Sequence, residues 1–264
     1  MGDSRYKHII YGTKDNIAKI TLNRPDRLNA INMELAIELK DVFLEFEKDE
    51  NAKAGILTGS GEKAFSVGGD ISMFPNVLGN IDSAYRFNKL GYDIHRLMDR
   101  IEKPIIAAVN GYCFAGGLEI ALACDFIIAS DNASFGLAEI TIGIVPAWGG
   151  MIRLPRAIGA RRAKEMIYTG EPISADHAEK IGLVNRVVPR GQLDEVVSEI
   201  AKKLVNKSSL ALKVAKSVIN YGLETPDIDA GLWMERGAAG IVVAGEDSKE
   251  GVLAFLEKRP AKFK

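Results

Sequence analysis

The sequence is poor in the residues that most often supply nucleophiles or metal ligands. It has two cysteines and three histidines in 264 residues. Two cysteines are too few for a disulfide scaffold, and three histidines limit any His-based metal site, so no metal is expected. Cys113 and Cys124 both stand among apolar residues and read as buried free thiols. An excess of either charge is also missing. The 34 Lys and Arg face 35 Asp and Glu, a net charge of -1, which gives no bulk attraction to nucleic acid or a membrane surface. No apolar run approaches the ~20 residues that span a bilayer; the most apolar windows are Pro104 to Val109 and Ile120 to Cys124. The start lacks the apolar core of a secretion signal, and Gly2 lacks a Ser or Thr at position 6, where Tyr6 stands. A cytoplasmic chain is expected.

What is abundant is glycine, 26 residues or roughly one in ten, against about 7% in average usage. A hydrophobic share of 47% argues against disorder. Strand-like and helix-like segments alternate through the first two hundred residues. Ile17 to Leu22 alternates as a half-buried strand does, and Met33 to Lys48 reads as an amphipathic helix with apolar Leu35, Ile37, Leu39, Val42, Phe43 and Phe46. Ala54 to Thr58, Pro104 to Val109 and Asp125 to Ala129 read as buried strands, and Tyr85 to Ile101 as a helix. From Leu193 onward the pattern is all helical: Leu193 to Val205, Ser208 to Tyr221, Pro226 to Ala244 with Pro226 in its first turn, and Ser248 to Lys258. The expected organisation is an α/β core over 1–192 and a helical region over 193–264. No repeat with a sequence period stands out.

Two glycine clusters differ from ordinary turns: Lys63 to Asp70, containing Gly68 and Gly69, and Asn110 to Glu119, containing Gly116 and Gly117. Each follows a strand-like run, and the second leads into a helix read over Leu118 to Cys124. Backbone N–H groups at a helix start are free and sit at the positive end of its dipole, so they can hold a developing negative oxygen. Loops that need glycine for positive φ account for most such pairs equally well. The carboxylates weigh on the other side. Glu119 stands among Leu118, Ile120, Ala121 and Leu122, and Glu139 in the largely apolar stretch Gly136 to Gly143. Charges in such company have a partner or a task. Two carboxylates beside a pair of free amides would make a general acid/base pair with pKa values tuned by burial.

The segments Leu22 to Ala30, Lys63 to Ile71, Ile106 to Asp125, Phe135 to Gly150 and Phe255 to Lys264, in register over essentially the whole chain, resemble the crotonase (enoyl-CoA hydratase/isomerase) superfamily. The resemblance implies a crotonase-like spiral of β-β-α repeats with a C-terminal helical region that makes trimers, often paired into hexamers. It implies stabilisation of a thioester enolate by two backbone N–H groups, which fall on Gly69 and Gly116. In members that hydrate a double bond, two glutamates hold the reacting water; they fall on Glu119 and Glu139. Both being Glu favours hydration of an enoyl-CoA over isomerisation. No separate cofactor is implied, because coenzyme A is part of the substrate.

The resemblance also implies a handle for the CoA. Backbone around Arg27, Leu28 and Ala30 and the loop Phe65, Ser66 and Val67 would embrace pantetheine and adenine. Asp70 and Ile71 continue that loop, and Lys258 would reach the nucleotide phosphates of a neighbouring subunit. A solvated basic tail of Lys258, Arg259, Lys262 and Lys264 reads Lys258 as well. Departures from the family pattern concern the acyl group. Pro146-Ala147-Trp148-Gly149-Gly150 stands where many hydratases have Pro-Gly-Ala-Gly-Gly, so Ala147 adds a methyl group near the water site and Trp148 adds bulk beside the acyl group. Ala115 replaces a glycine of many relatives. Met73 to Leu78 would line the tail pocket.

Three rival readings remain. Ala64 to Gly68 falls one residue short of the Gly-x-Ser-x-Gly elbow, so a Ser66 hydrolase would need support from His8, His95 or His177. Gly59-Ser60-Gly61 fails the dinucleotide fingerprint. Other crotonase reactions, isomerisation or thioester hydrolysis among them, and a non-catalytic acyl-CoA-binding protein complete the set.

Overall fold

A computed structural model describes residues 5–263, Asn76 by its backbone alone, so Gly2 and Lys264 lie outside the described residues. Strands β1 (Ile9–Lys14) and β2 (Ile17–Leu22) pair antiparallel over Asp15 and Asn16, at φ 52° and 61°. Asp and Asn tolerate the left-handed backbone that such a two-residue hairpin needs. Helix α1 (Met33–Lys48) is capped by Asn32, whose side chain accepts from the Leu35 N–H, and buries Leu35, Ala36, Leu39, Val42, Phe43 and Phe46.

The chain then makes three similar passes. Each begins with a strand in one sheet, continues with a three-residue strand in a second sheet, and ends in helix. The first pass is β3 (Ala54–Gly59), β4 (Ala64–Ser66) and α2 (Ile81–Arg100). The second is β5 (Ile105–Val109), β6 (Tyr112–Phe114) and α3 (Gly116–Ala121). The third is β7 (Phe126–Ser130), β8 (Ser134–Gly136) and α4 (Gly150–Ile158). Helix α5 (Ala160–Thr169), β9 (Ile173–Ser174), α6 (Ala175–Lys180), β10 (Arg186–Val188) and α7 (Leu193–Val205) follow. The large sheet runs β1-β2-β3-β5-β7-β10 and the small one β4-β6-β8-β9. This is the β-β-α spiral. Its passes begin at Ala54, Ile105 and Phe126, so the inserts differ in length and leave no sequence period.

The three central strands are parallel and buried on both faces, which is why they read as unbroken apolar runs. One face of the large sheet joins α1 and α2 in the main core; Ile56, Ile106, Ala108 and Ile128 on the other are covered by Leu193, Val197 and Ala201 of α7. The last three helices behave differently. Helices α8 (Ser209–Glu224) and α9 (Ile228–Val243) bury no residue fully, and α10 (Glu246–Leu256) buries only Ala254. Pro226 lies ahead of α9 rather than in its first turn, because Asp227 takes the capping position through its side chain. The tail is moored by polar contacts: Lys216 Nζ lies 2.9 Å from Asp125, Lys213 Nζ 2.5 Å from Glu102, and Arg96 reaches Glu224. Among the described residues no helix is long and apolar enough to cross a membrane.

Candidate active site

The short strands of the small sheet deliver both glycine clusters to one place. The turn after β2 runs beside the end of β4. Ile31 N–H donates to Gly68 O, Asp70 N–H to Ile31 O and Val67 N–H to Leu28 O, at 2.7, 2.9 and 3.2 Å. Buried Asn29 clasps the two segments: its Oδ1 accepts from Arg24 N–H, and its Nδ2 donates to Ser60 O and Ala64 O. Gly68, at φ 83°, leaves no room for a side chain, since a Cβ there would lie 2.6 Å from the Gly116 nitrogen. That closeness brings Gly69 alongside Gly116, and a Cβ on Gly116 would lie 3.8 Å from the Gly69 nitrogen.

Gly116 opens α3, so its N–H has no intrahelical acceptor. The turn before it is tight enough to hold Ala115 at φ 48°, ψ −129°, a backbone region that favours glycine. The Gly69 N–H likewise takes no part in the bridge to Ile31, which uses the flanking groups. Helix α3 begins two residues earlier than the apolar pattern suggests and ends at Ala121. Glu119 stays in its first turn.

Glu119 is 2% exposed. Its Oε1 accepts two backbone bonds, from Trp148 N–H at 2.8 Å and Gly150 N–H at 2.7 Å. Burial pushes its carboxyl up to about 7, the charge of Glu139 adds to the rise, and the two amide bonds oppose it. Glu139 opens a 3-10 turn, Glu139–Ile142. Burial raises its carboxyl too, and its Oε2 is buried without a hydrogen-bond partner.

Glu119, Glu139, Gly69 and Gly116 line one cavity of about 830 Å³. Of the other residues singled out from the sequence, Val67, Ile71, Ala147 and Trp148 line it as well. So do Met73 and Phe74 from the 3-10 turn after Asp70, and Val77 and Leu78 just past its end. Arg27, Leu28, Ala30, Phe65, Ser66, Asp70 and Lys258 lie outside its lining. Phe65 is core. Asp70 is engaged by Arg24 at 2.9 Å and caps the turn through Ser72, which holds its carboxyl below the usual range. Arg27 and Lys258 are exposed, Lys258 at φ 55° just past α10. Asn29 and the α2 residue Phe87 escaped sequence reading. An Asn in a turn and a Phe on an amphipathic helix carry no signal of what they face.

The rival nucleophile does not assemble. Ser66 is fully buried, donates its hydroxyl to Asn29 O and accepts from Gly68 N–H. His8 contacts Glu34, His177 is exposed, and both ring nitrogens of buried His95 are unpartnered. Burial and the Arg153 charge push His95 down to about 3, so it is neutral at pH 7. Cys113 is buried and Cys124 partly so, both as free thiols. No three His, Cys, Asp or Glu side chains cluster as a metal ion would need, among the described residues.

Residues 12–264 match the family model described as enoyl-CoA hydratase/isomerase. The chain is 42% identical over 258 residues to crotonyl-CoA hydratase of Syntrophomonas wolfei, covering 98% of each. It is 43% identical over 252 residues to short-chain-enoyl-CoA hydratase of Clostridium acetobutylicum, covering 96% of this chain and 95% of that one. A crystal structure of enoyl-CoA hydratase from Bacillus anthracis superposes with a TM-score of 0.93 at 39% identity, over 98% of this chain and 99% of that one. The β-β-α spiral, the paired glycine loops and these matches over nearly the full length place the chain in the enoyl-CoA hydratase/isomerase family.

Proposed function

We propose that the protein is an enoyl-CoA hydratase, a hydro-lyase that adds water reversibly across the α,β double bond of an acyl-CoA thioester. One observation carries the reading: a buried glutamate, Glu119, a half-buried one, Glu139, and two unengaged glycine amides face a single cavity. The Gly69 and Gly116 N–H groups would hold the thioester oxygen as it gains charge. Losing one such donor can cost about 10²–10³ in rate. Glu119, its Oε1 fixed by two amides, takes a proton from water as the oxygen attacks Cβ. Glu139 gives its proton to Cα. Hydration then leaves Glu119 protonated and Glu139 ionised, and a proton passed between them through solvent restores the starting state.

Burial raises both carboxyls, and at about 7 that of Glu119 stands near the protonation balance that proton transfer at pH 7 needs. Backbone near Arg27, Leu28, Ala30 and Phe65 to Val67, with Lys258 of a neighbouring subunit, is proposed to hold the CoA moiety, with no further cofactor. Helices α8–α10 are proposed as the contact of a homotrimer or dimer of trimers. Exposed Leu232, Trp233, Ile241 and Val243 support that reading. Free thiols suit the reducing cytoplasm, and the reaction belongs with fatty-acid metabolism. The test is hydration of crotonyl-CoA, followed by loss of the conjugated thioester's ultraviolet absorbance or by product mass, on the order of 10 s⁻¹ for a typical enzyme. Turnover that yields free CoA or a shifted double bond in place of the 3-hydroxyacyl product overturns the assignment. Binding without turnover leaves the acyl-CoA-binding reading.

A further inference from the structure

Trp148 holds two positions at once. Its N–H is one of the two that fix Glu119, and its indole is part of the cavity wall. The indole rests on α2 at Gly91, where a Cβ would lie 2.3 Å from both Cγ and Cδ2. No residue with a side chain fits there unless the ring moves, because real Cβ contacts essentially never fall under 3.0 Å. One helical turn before Gly91, Phe87 meets the indole with ring centroids 4.9 Å apart and planes inclined by 44°. One turn after it, the His95 ring lies against Gly149, 3.3 Å from where a Cβ would stand. Residues four apart share one face of a helix. A single stripe of α2 therefore seats the indole and the glycine that follows it.

We infer that the Trp148 indole, seated in the notch at Gly91, is the gauge that sets the size of acyl group the enzyme accepts, and that the group is uncharged and apolar. This rests on the hydratase reading of the same cavity. Among the described residues, the only titratable side chains in its lining are Glu119 and Glu139. The wall toward α2 is otherwise supplied by Phe74, Ile81, Ala84, Phe87 and the uncharged Asn88, and no described charged side chain there compensates a charged acyl terminus. A methylene more or less in such a pocket changes selectivity by about 10–200-fold.

Two substitutions act on the gauge in opposite directions. Trp148→Ala removes the indole and leaves the backbone N–H in place. Gly91→Ala drives the indole off its seat and into the cavity. Each also disturbs Glu119 to some degree, which lowers turnover of every substrate alike and cancels in a ratio.

The experiment measures kcat/KM for C4, C6 and C8 trans-2-enoyl-CoA thioesters in the full-length protein. In parallel, calorimetry gives Kd for butyryl-, hexanoyl- and octanoyl-CoA. Trp148→Ala is expected to raise the C8-to-C4 ratio at least tenfold, and Gly91→Ala to lower it by a similar factor. Trp148→Phe serves if either of the first pair fails to fold, and its C8-to-C4 ratio then carries the test. A ratio that stays within twofold of wild type in both directions overturns the gauge, however much the rates fall. If the wild-type protein hydrates none of the thioesters, the hydratase reading fails, and the Kd ratios still decide whether the indole measures the acyl chain.

Discussion

Glu119 and Glu139 reach the same cavity from walls built in different ways. Glu119 stands on a helix inside the core, and both bonds to its Oε1 come from a backbone segment lodged against α2. Glu139 stands on a four-residue 3-10 turn whose Ile140 and Ile142 are exposed, and no side chain caps it. One carboxylate is clamped; the other keeps an unpartnered buried oxygen. An unpaired buried charge is costly, which raises the Glu139 carboxyl above its ordinary range. The two walls thus differ in what they offer, a carboxylate fixed by two amides and a carboxyl with one unpartnered oxygen, and that difference suits the proposed division between a base and an acid.

The strongest way to break that comparison is to remove each charge without changing shape. Glu119→Gln and Glu139→Gln are each expected to lower kcat by about 10²–10⁴, while acyl-CoA binding measured by calorimetry holds. Full hydration activity in either variant would falsify the acid/base pair. In the wild type, kcat/KM should rise with pH through a limb near 7 that belongs to the pair, because the base must be ionised. Glu119→Gln should abolish that limb.

The burial of Glu119 also has a signature in stability. The folded carboxyl of Glu119 lies above its ordinary value of 4.5, at about 7. Folding therefore favours the protonated form. The contribution is complete below about 4.5 and is lost as pH rises to about 7, amounting to roughly 3 kcal/mol. Urea unfolding across that window should show wild-type stability falling and Glu119→Gln flatter. A wild-type curve that climbs over the same window contradicts the burial of this group.

A subtler variant loosens the clamp and keeps both glutamates. A Cβ on Gly150 would lie 2.9 Å from Glu119 Oε1. Gly150→Ala should displace the carboxylate and cost about 10² in kcat, as a 1 Å misplacement can, with acyl-CoA affinity little changed. Wild-type kcat in this variant would show that Glu119 does not need its present position.

The smallest effect concerns the turn that carries Glu119. Ala115 sits at φ 48°, and strain of this kind costs of order 1–3 kcal/mol. Ala115→Gly should relieve part of it and gain about 1 kcal/mol net of the added chain entropy. For a chain of this size that is about 2–4 °C in Tm by calorimetry. A lower Tm would show that the methyl contact with Gly68 outweighs the strain.

Much of this was legible in the amino-acid order. The central strands appear as apolar runs because both faces are covered, and α1 and α7 appear by their spacing. The two glutamates stand out because charges rarely sit in apolar company. The three-residue strands β4, β6 and β8 were invisible. Strands that short have no period, and they exist only because each pairs with a neighbour from another pass of the spiral. Asn29 and Gly91 were equally silent, since their partners lie 31 to 57 positions away at Ser60, Ala64 and Trp148.

The sequence by itself determined the alternation of strand and helix, the helical tail, and the residue types of the site. Those follow from local periodicity and from the cost of leaving a charge among apolar groups. Only the tertiary structure decided that Gly69 lies beside Gly116, that backbone from the Trp148 turn clamps Glu119, and that α2 holds the indole. Each of these joins segments from different passes, and contact between distant segments is set by packing, which no local pattern records.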